Sequence, residues 1–239
     1  MSLILALDTS TDACSVALYA NGVLNSHYEV AAKSHTQRLL PMVDELLQSQ
    51  GCDLGDLDAI AFGRGPGSFT GLRICAGIVQ GLAFGADLPV IPVSTLEAMA
   101  LGFYRQSPEI AVPLLVALDA RMEEVYWGVY EQSGDLVTPI SEEAVMSPAM
   151  LVEHNDVINL SGAFVGIGPG WHYFAMQQLK TNACVLDVHP HAENIALIGA
   201  ARFAAGQTVT ALEAQPVYLR DSVSWQKRQR IRTSNDSLV

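Results

Sequence analysis

The stretch Gly63-Arg64-Gly65-Pro66-Gly67-Ser68-Phe69-Thr70-Gly71 decides how the rest of the chain is read. The apolar run Leu57–Phe62 precedes it and a helical pattern from Gly71 to Gly85 follows, so it joins a buried strand to a helix. Such a loop places free backbone N–H groups at a helix N-terminus, where the dipole favours an anion. No lysine follows Gly71, which excludes a P-loop, and Ser68 stands where a dinucleotide fingerprint needs another glycine. A purely structural reading stands beside the anionic one: a tight turn requiring positive φ, with Thr70 capping the next helix.

Upstream, Leu3–Leu7 reads as a buried strand, Asp8-Thr9-Ser10-Thr11-Asp12 as a polar turn and Cys14–Ala20 as a second strand. Asn21-Gly22 is a strong hairpin signal, leading into a third strand over Val23–Val30. A helix is predicted from about Ser34 to Gln50, with Leu39, Met42, Val43, Leu46 and Leu47 on one face and Gly51 as its stop. Pro41 within it implies a kink or an irregular first turn. The Asp8–Ser10 turn brings a carboxylate and two hydroxyls beside free N–H groups, a set that can hold a phosphate and place a metal through water. It serves equally as a hairpin whose side chains satisfy their own backbone.

Downstream, Val90–Val93 is a strand and Ser94 caps a helix to about Gly102, before Ser107-Pro108 interrupts the chain. The plan then recurs. Leu114–Leu118 is a strand ending at Asp119, and Glu124–Glu131 is a strand followed by the turn Ser133-Gly134-Asp135. Ala163–Ile167 is a strand, Gly166–Gly170 a glycine loop leading into a helix, and Ile195–Gly206 the last helix. This repeated order predicts a duplicated α/β architecture. Its expected divisions are residues 1–103, 104–219 and a basic tail, 220–239.

The 239 residues are 50% hydrophobic and 16% charged, which excludes a disordered chain. A net charge of −12 disfavours a free-standing nucleic-acid-binding domain. Eight basic and 23 acidic residues precede Arg220, whereas the last twenty residues hold five basic and two acidic ones. Four of those basic residues share the segment Trp225–Arg232 with a tryptophan; it reads as a solvated terminus or as a contact with a polyanion's phosphates or an acidic partner. The four cysteines form no CxxC pair, no charged leader opens the chain, and no stretch approaches the ~18 apolar residues of a membrane span. A reduced, soluble, cytoplasmic protein is expected.

Catalytic constellations are sparse. His189-Pro190-His191 lacks the i, i+4 spacing of a helical metal site, and Ser68 lacks the nucleophile-elbow context. His35, at a helix start, suits a cap or an interface. Gly77, Gly81 and Gly85 recur every four residues on one face of the second helix, beside Ile74, Ile78 and Leu82. Each interior glycine costs up to about 1 kcal/mol relative to alanine, so close approach by another element is the expected compensation. That element is either the chain's own sheet or another subunit.

The segment Gly65–Arg73, the opening Leu5-Ala6-Leu7-Asp8-Thr9-Ser10 and the helix start Ser34-His35-Thr36-Gln37 together resemble the bacterial TsaB (YeaZ) family. The likeness covers most of residues 1–100 and continues more weakly at Gly166–Gly170 and Leu219-Arg220. The resemblance implies an α/β fold of two similar lobes of the actin/Hsp70/sugar-kinase-like (ASKHA) type. It further implies a non-catalytic accessory role, with TsaD and the ATPase TsaE, in transferring threonylcarbamoyl from threonylcarbamoyl-AMP to adenosine 37 of tRNA. The catalytic relative's His-Met-Glu-Gly-His metal motif falls on Thr95-Leu96-Glu97-Ala98-Met99, where only Glu97 survives. No metal and no cofactor are therefore expected, and tRNA is met only through the complex.

The resemblance places pairing, with TsaD or as a homodimer, on the first two helices. The candidate contacts are His35, Leu39, Met42, Val43 and Leu46 in the first and Arg73, Ile74, Gly77, Ile78 and Gly81 in the second. Asp8, Thr9, Ser10, Gly65, Gly67 and Ser68 form a candidate nucleotide-like pocket. The rival is an enzyme, a nucleotide hydrolase or a peptidase-like protein, built on Asp8 and the 63–71 loop.

Overall fold

Strand β1 (Leu3–Asp8) is buried at every position after Leu3, the signature of a strand covered on both faces at a sheet's centre. It pairs antiparallel with β2 (Ala13–Ala20), which pairs antiparallel with β3 (Val23–Val30). On its other side it pairs parallel with β4 (Ala59–Gly65), and β4 with β5 (Val90–Ser94). The order is β3-β2-β1-β4-β5. Asn21 and Gly22 take positive φ (53° and 92°), as a tight hairpin turn requires.

A second sheet has the same plan. It comprises β6 (Leu114–Asp119), β7 (Val125–Ser133), β8 (Leu136–Pro139), β9 (Ala144–Met146), β10 (Val165–Ile167) and β11 (Ala183–Val185). The order β8-β7-β6-β10-β11 matches the first sheet strand for strand, with β9 added against β7. Two copies of one mixed sheet make the duplicated α/β architecture that the repeat predicts, of the ASKHA type that the resemblance implies. The computed structural model describes residues 2–30 and 34–220; the Trp225–Arg232 segment lies outside them.

Seven α-helices are seen among the described residues: α1 (His35–Gln50), α2 (Phe69–Ala86), α3 (Thr95–Gln106), α4 (Pro148–Leu151), α5 (Asn155–Ile158), α6 (Phe174–Gln177) and α7 (Ala192–Ala204). Alternation along β1 sends Leu5 and Leu7 to one face and Ile4 and Ala6 to the other. The Leu5 face packs with α1 and α2 through Leu39, Leu46, Cys75 and Val79. The Ile4 face packs with α3 and α7, whose far side meets Leu114, Val116 and Ile167 of the second sheet. The outer face of that sheet is closed by Leu151, Val157, Trp171 and Met176.

The closing helices cross over. α3 follows the first sheet and packs on β4 and β5 but also on β6, β7 and β8, whereas α7 follows the second and packs on β1, β2 and β4. Within the expected 104–219 division, α7 packs on the first sheet, and Val209 also bridges to Val90. One apolar layer serves both halves.

Other differences have local causes. α1 runs unbroken through Pro41, which lies on its exposed side. Ser68, not Thr70, is the N-cap of α2, accepting from Gly71 N at 3.3 Å. The loop after β10 enters a 3-10 turn (Pro169–His172) and the four-residue α6 instead of a long helix, because Trp171 folds back over Gly166, leaving no room for a Cβ there. Contrary to the expectation of no membrane-length stretch, α2 is 18 residues long and apolar enough to span a bilayer by length and composition. Leu72, Cys75, Ala76, Val79 and Ala83 bury one side of it against the first sheet.

Helix α7 sits close. A Cβ on Gly199 of α7 would lie 2.7 Å from Ala61 Cβ and 3.6 Å from Ile4 Cγ2. Gly199→Val is expected to cost about 1–3 kcal/mol by overpacking, seen as a fall of several degrees in Tm by circular dichroism.

Candidate functional site

The turns after β1 and β6 and the loops after β4 and β10 converge on a cleft of about 800 Å³ between the halves. Ser10, Thr11 and Asp12 line it from the first turn, Gly67, Ser68 and Phe69 from the glycine loop, and Asp119 and Arg121 from the second turn. Of the predicted pocket residues, Ser10, Gly67 and Ser68 reach the cleft. Asp8, Thr9 and Gly65 do not line it; all three are buried beneath it.

The reason is close packing of turn against loop. Ser68 N donates to Ser10 O (2.7 Å), and Thr9 Oγ1 donates to Gly71 O (2.8 Å). A Cβ on Gly67 would meet Ser10 O at 2.4 Å, and one on Gly71 would meet Thr9 O at 1.9 Å. These glycines are required for approach to the chain's own backbone. The second glycine loop packs likewise, with Gly168 (φ 98°) against Ala117 O and Gly166 under the Trp171 ring.

Asp8 is fully buried. Its Oδ2 accepts from Ser10 N (3.2 Å) and Ser10 Oγ (2.9 Å), while Oδ1 has no hydrogen-bond partner and sits over Gly63. Burial pushes its pKa up to about 6, only partly offset by the Ser10 bonds. Asp119, its counterpart in the repeat, faces the cleft instead. It accepts from Arg121 N (2.8 Å) and Tyr173 OH (3.1 Å) and pairs with Arg121 Nη1 (3.1 Å). Asp119 escaped selection as a site residue; its position at the end of β6, matching Asp8 on β1, is the signal that finds it.

The turn after Asp119 is unusual. Arg121, Met122 and Glu123 have φ of 60°, 56° and 60°, a left-handed run that costs L-residues about 1–2 kcal/mol each.

At the motif segment, Thr95 and Met99 are fully buried, and Glu97 accepts from Arg202 Nη2 at 2.8 and 2.7 Å. Burial raises the Glu97 pKa and Arg202 opposes that shift. Among the described residues, no three His, Cys, Asp or Glu side chains converge as metal ligands.

The predicted partner residues divide. His35, Leu39, Met42, Val43 and Leu46 are buried under the first sheet, with His35 Nε2 3.2 Å from Ala13 O. The one apolar stripe of α1 is used by the core, and Leu40, Pro41, Asp44 and Glu45 face outward. On α2 the outcome is the opposite. Arg73, Gly77 and Gly81 are exposed and Ile74 and Ile78 half-buried. A Cβ on Gly77, Gly81 or Gly85 would meet nothing within 4 Å, so the glycine face does not pack on the chain's own sheet. Phe69 (54% exposed) and Phe84 (77%) flank it, and the Arg73 guanidinium lies 3.6 Å from the Phe69 ring centre.

Duplicated sheets facing a shared cleft, with glycine loops packed on their own turns, define a protein of the ASKHA fold type. The family model described as "TsaD: tRNA N6-adenosine threonylcarbamoyltransferase" matches residues 19–222. The tRNA threonylcarbamoyladenosine biosynthesis protein TsaB of Escherichia coli (strain K12) is 46% identical over 94% of this chain and 97% of its own length. The protein of that name from Haemophilus influenzae is 43% identical over 94% and 96%. The solved structure of YeaZ from Pseudomonas aeruginosa, 45% identical, covers 92% of this chain and all of its own, with a TM-score of 0.84. The chain belongs to the TsaB (YeaZ) family.

The buried carboxyl has a measurable signature. Its folded pKa of about 6 lies above the ordinary 3.8, so the folded form binds the proton more tightly. Stability from this group is therefore greatest below pH 4, declines as pH rises from about 4 to 6, and stays lower above that, by roughly 2–3 kcal/mol. Asp8→Asn is expected to remove this decline, checked by Tm measured between pH 4 and 7.

Proposed function

We propose that the chain is a non-catalytic accessory subunit of the tRNA threonylcarbamoyladenosine machinery. It binds a TsaD-type catalytic subunit, acts with a TsaE-type ATPase in the cytoplasm, and meets tRNA only through that complex. The outward face of α2 carries this reading. Only a third of that apolar helix is buried, and its glycine stripe lies open between Phe69 and Phe84. Glycines let a second helix approach closely, and Phe69, Arg73 and Tyr218 add the aromatic and arginine side chains in which interface anchors are enriched.

The match of a transferase family model over residues 19–222 supports a related partner of the same fold. Two subunits sharing such helices can pair as unlike partners or as a homodimer through the same face. The proposed work is a population shift: binding favours the catalytic subunit's competent arrangement, with no chemical step on this chain.

Product formation tests it. The modified adenosine is measured by mass spectrometry with TsaD, TsaE, the adenylate-forming enzyme, threonine, bicarbonate and ATP, with and without this chain. Product should require the chain. Gly81→Leu should cut product about tenfold or more, which corresponds to a binding loss of at least 1.4 kcal/mol, with Tm unchanged or raised. Gly81→Ala should stabilise the helix by up to about 1 kcal/mol. Equal product without the chain would sink the proposal.

A further inference from the structure

The left-handed run Arg121–Glu123 sits at the rim of the cleft, where Arg121 is a lining residue. L-residues visit that region singly, so three in succession must be held by their surroundings. Within the turn, Ala120 N donates to Glu124 O (2.9 Å) and Arg121 N to the Asp119 carboxylate (2.8 Å). From outside, one side chain grips the turn at three points. Arg220 Nε donates to the Glu124 carboxylate (3.1 Å), and Nη2 donates to that carboxylate and to Ala120 O (3.1 Å). Nη1 lies 3.7 Å from the Met122 sulfur. The Arg220 side chain is 19% exposed, against 80% for Arg121.

The same short segment touches β4 and α2. Val217 N donates to Arg64 O of β4 (2.8 Å), and Tyr218 OH accepts from Arg73 Nε of α2 (3.0 Å). The Tyr218 ring packs on Phe69, with centroids 5.6 Å apart. Tyr218 and Arg220 are two residues apart, so one strap joins the exposed face of α2 to the strained rim.

We infer that Arg220 is a latch that keeps the 121–123 turn left-handed, and that the strap Val217–Arg220 couples the outer face of α2 to the cleft rim. A partner seated on α2 must press on or displace Tyr218. Displacement pulls Arg220 from Glu124 and Ala120, frees the turn to relax and moves Arg121 at the rim. The coupling deepens the partner-face reading and rests on it; the latch does not.

Trypsin reports the released turn, because a protease needs its target bond in an opened, extended segment, and the rate follows the open population. The Arg121–Met122 bond reads the latch, and the Arg105–Gln106 bond at the end of α3 reads opening elsewhere. In the full chain, Arg220→Ala and Glu124→Gln should each speed cleavage after Arg121 about tenfold or more, with the Arg105 rate unchanged. Adding Met122→Gly and Glu123→Gly to Arg220→Ala supplies residues that accept positive φ without strain. Cleavage should then return to within about threefold of the parent.

No acceleration without Arg220, further acceleration by the glycines, or equal acceleration at Arg105 overturns the latch. Tyr218→Ala should also speed cleavage after Arg121; an unchanged rate overturns the coupling. None of these arms contains a transferase component, so failure here and failure of the accessory-subunit reading are separate results.

Discussion

The packing of α7 onto the first sheet is the constraint on which the two-lobed arrangement depends. Gly199 lets the helix backbone settle over Ala61, and Ile195, Ala196 and Ile198 fill the layer shared with α3. Each half sends its last helix to the other half's sheet, so neither sheet has a complete inner cover of its own. The width of the cleft follows from that layer. Close-packed interiors deform little, and at Gly199 the helix backbone rests on Ala61 with no side chain of its own between them.

The same economy of space governs the loops above the strands. A glycine-rich strand-to-helix loop favours anions only while its N–H groups point into an open cradle. Here Ser68 N is spent on Ser10 O, the Gly71 amide on the Ser68 hydroxyl, and the Gly71 carbonyl on Thr9. Asp8, with one oxygen unpaired, is sealed below this seam. Buried there, the carboxyl does not line the cleft, and burial pushes its pKa up to about 6. Of the two aspartates that end β1 and β6, Asp119 is the one that lines the cleft, where it pairs with Arg121.

Local patterns with one physical meaning could be read directly from the chain. The Asn21-Gly22 hairpin, the buried β1 and the recurrence of its plan from Leu114 follow from turn chemistry and period. Stripes that serve two purposes could not. The apolar face of α1 satisfies the core and a docking surface equally well on paper, and the sheet claims it. α2 is apolar nearly all round, so periodicity does not choose its buried side; Gly77, Gly81 and Gly85 face outward because Leu72, Cys75 and Val79 fit the sheet. Pairs such as Glu97–Arg202 and Glu124–Arg220 join residues about a hundred positions apart and carry no periodic signal.

An outward glycine stripe in an apolar helix has a thermodynamic consequence. Each glycine weakens the helix, and the uncovered Phe84 gains nothing from folding. Any partner that covers α2 returns both contributions at once, since it binds the folded helix and not the unfolded chain. The stability of this half and its affinity for a partner are therefore linked quantities. On the proposed reading, this unfilled face would supply the binding free energy, and the Tyr218–Arg220 strap runs from it to the cleft rim.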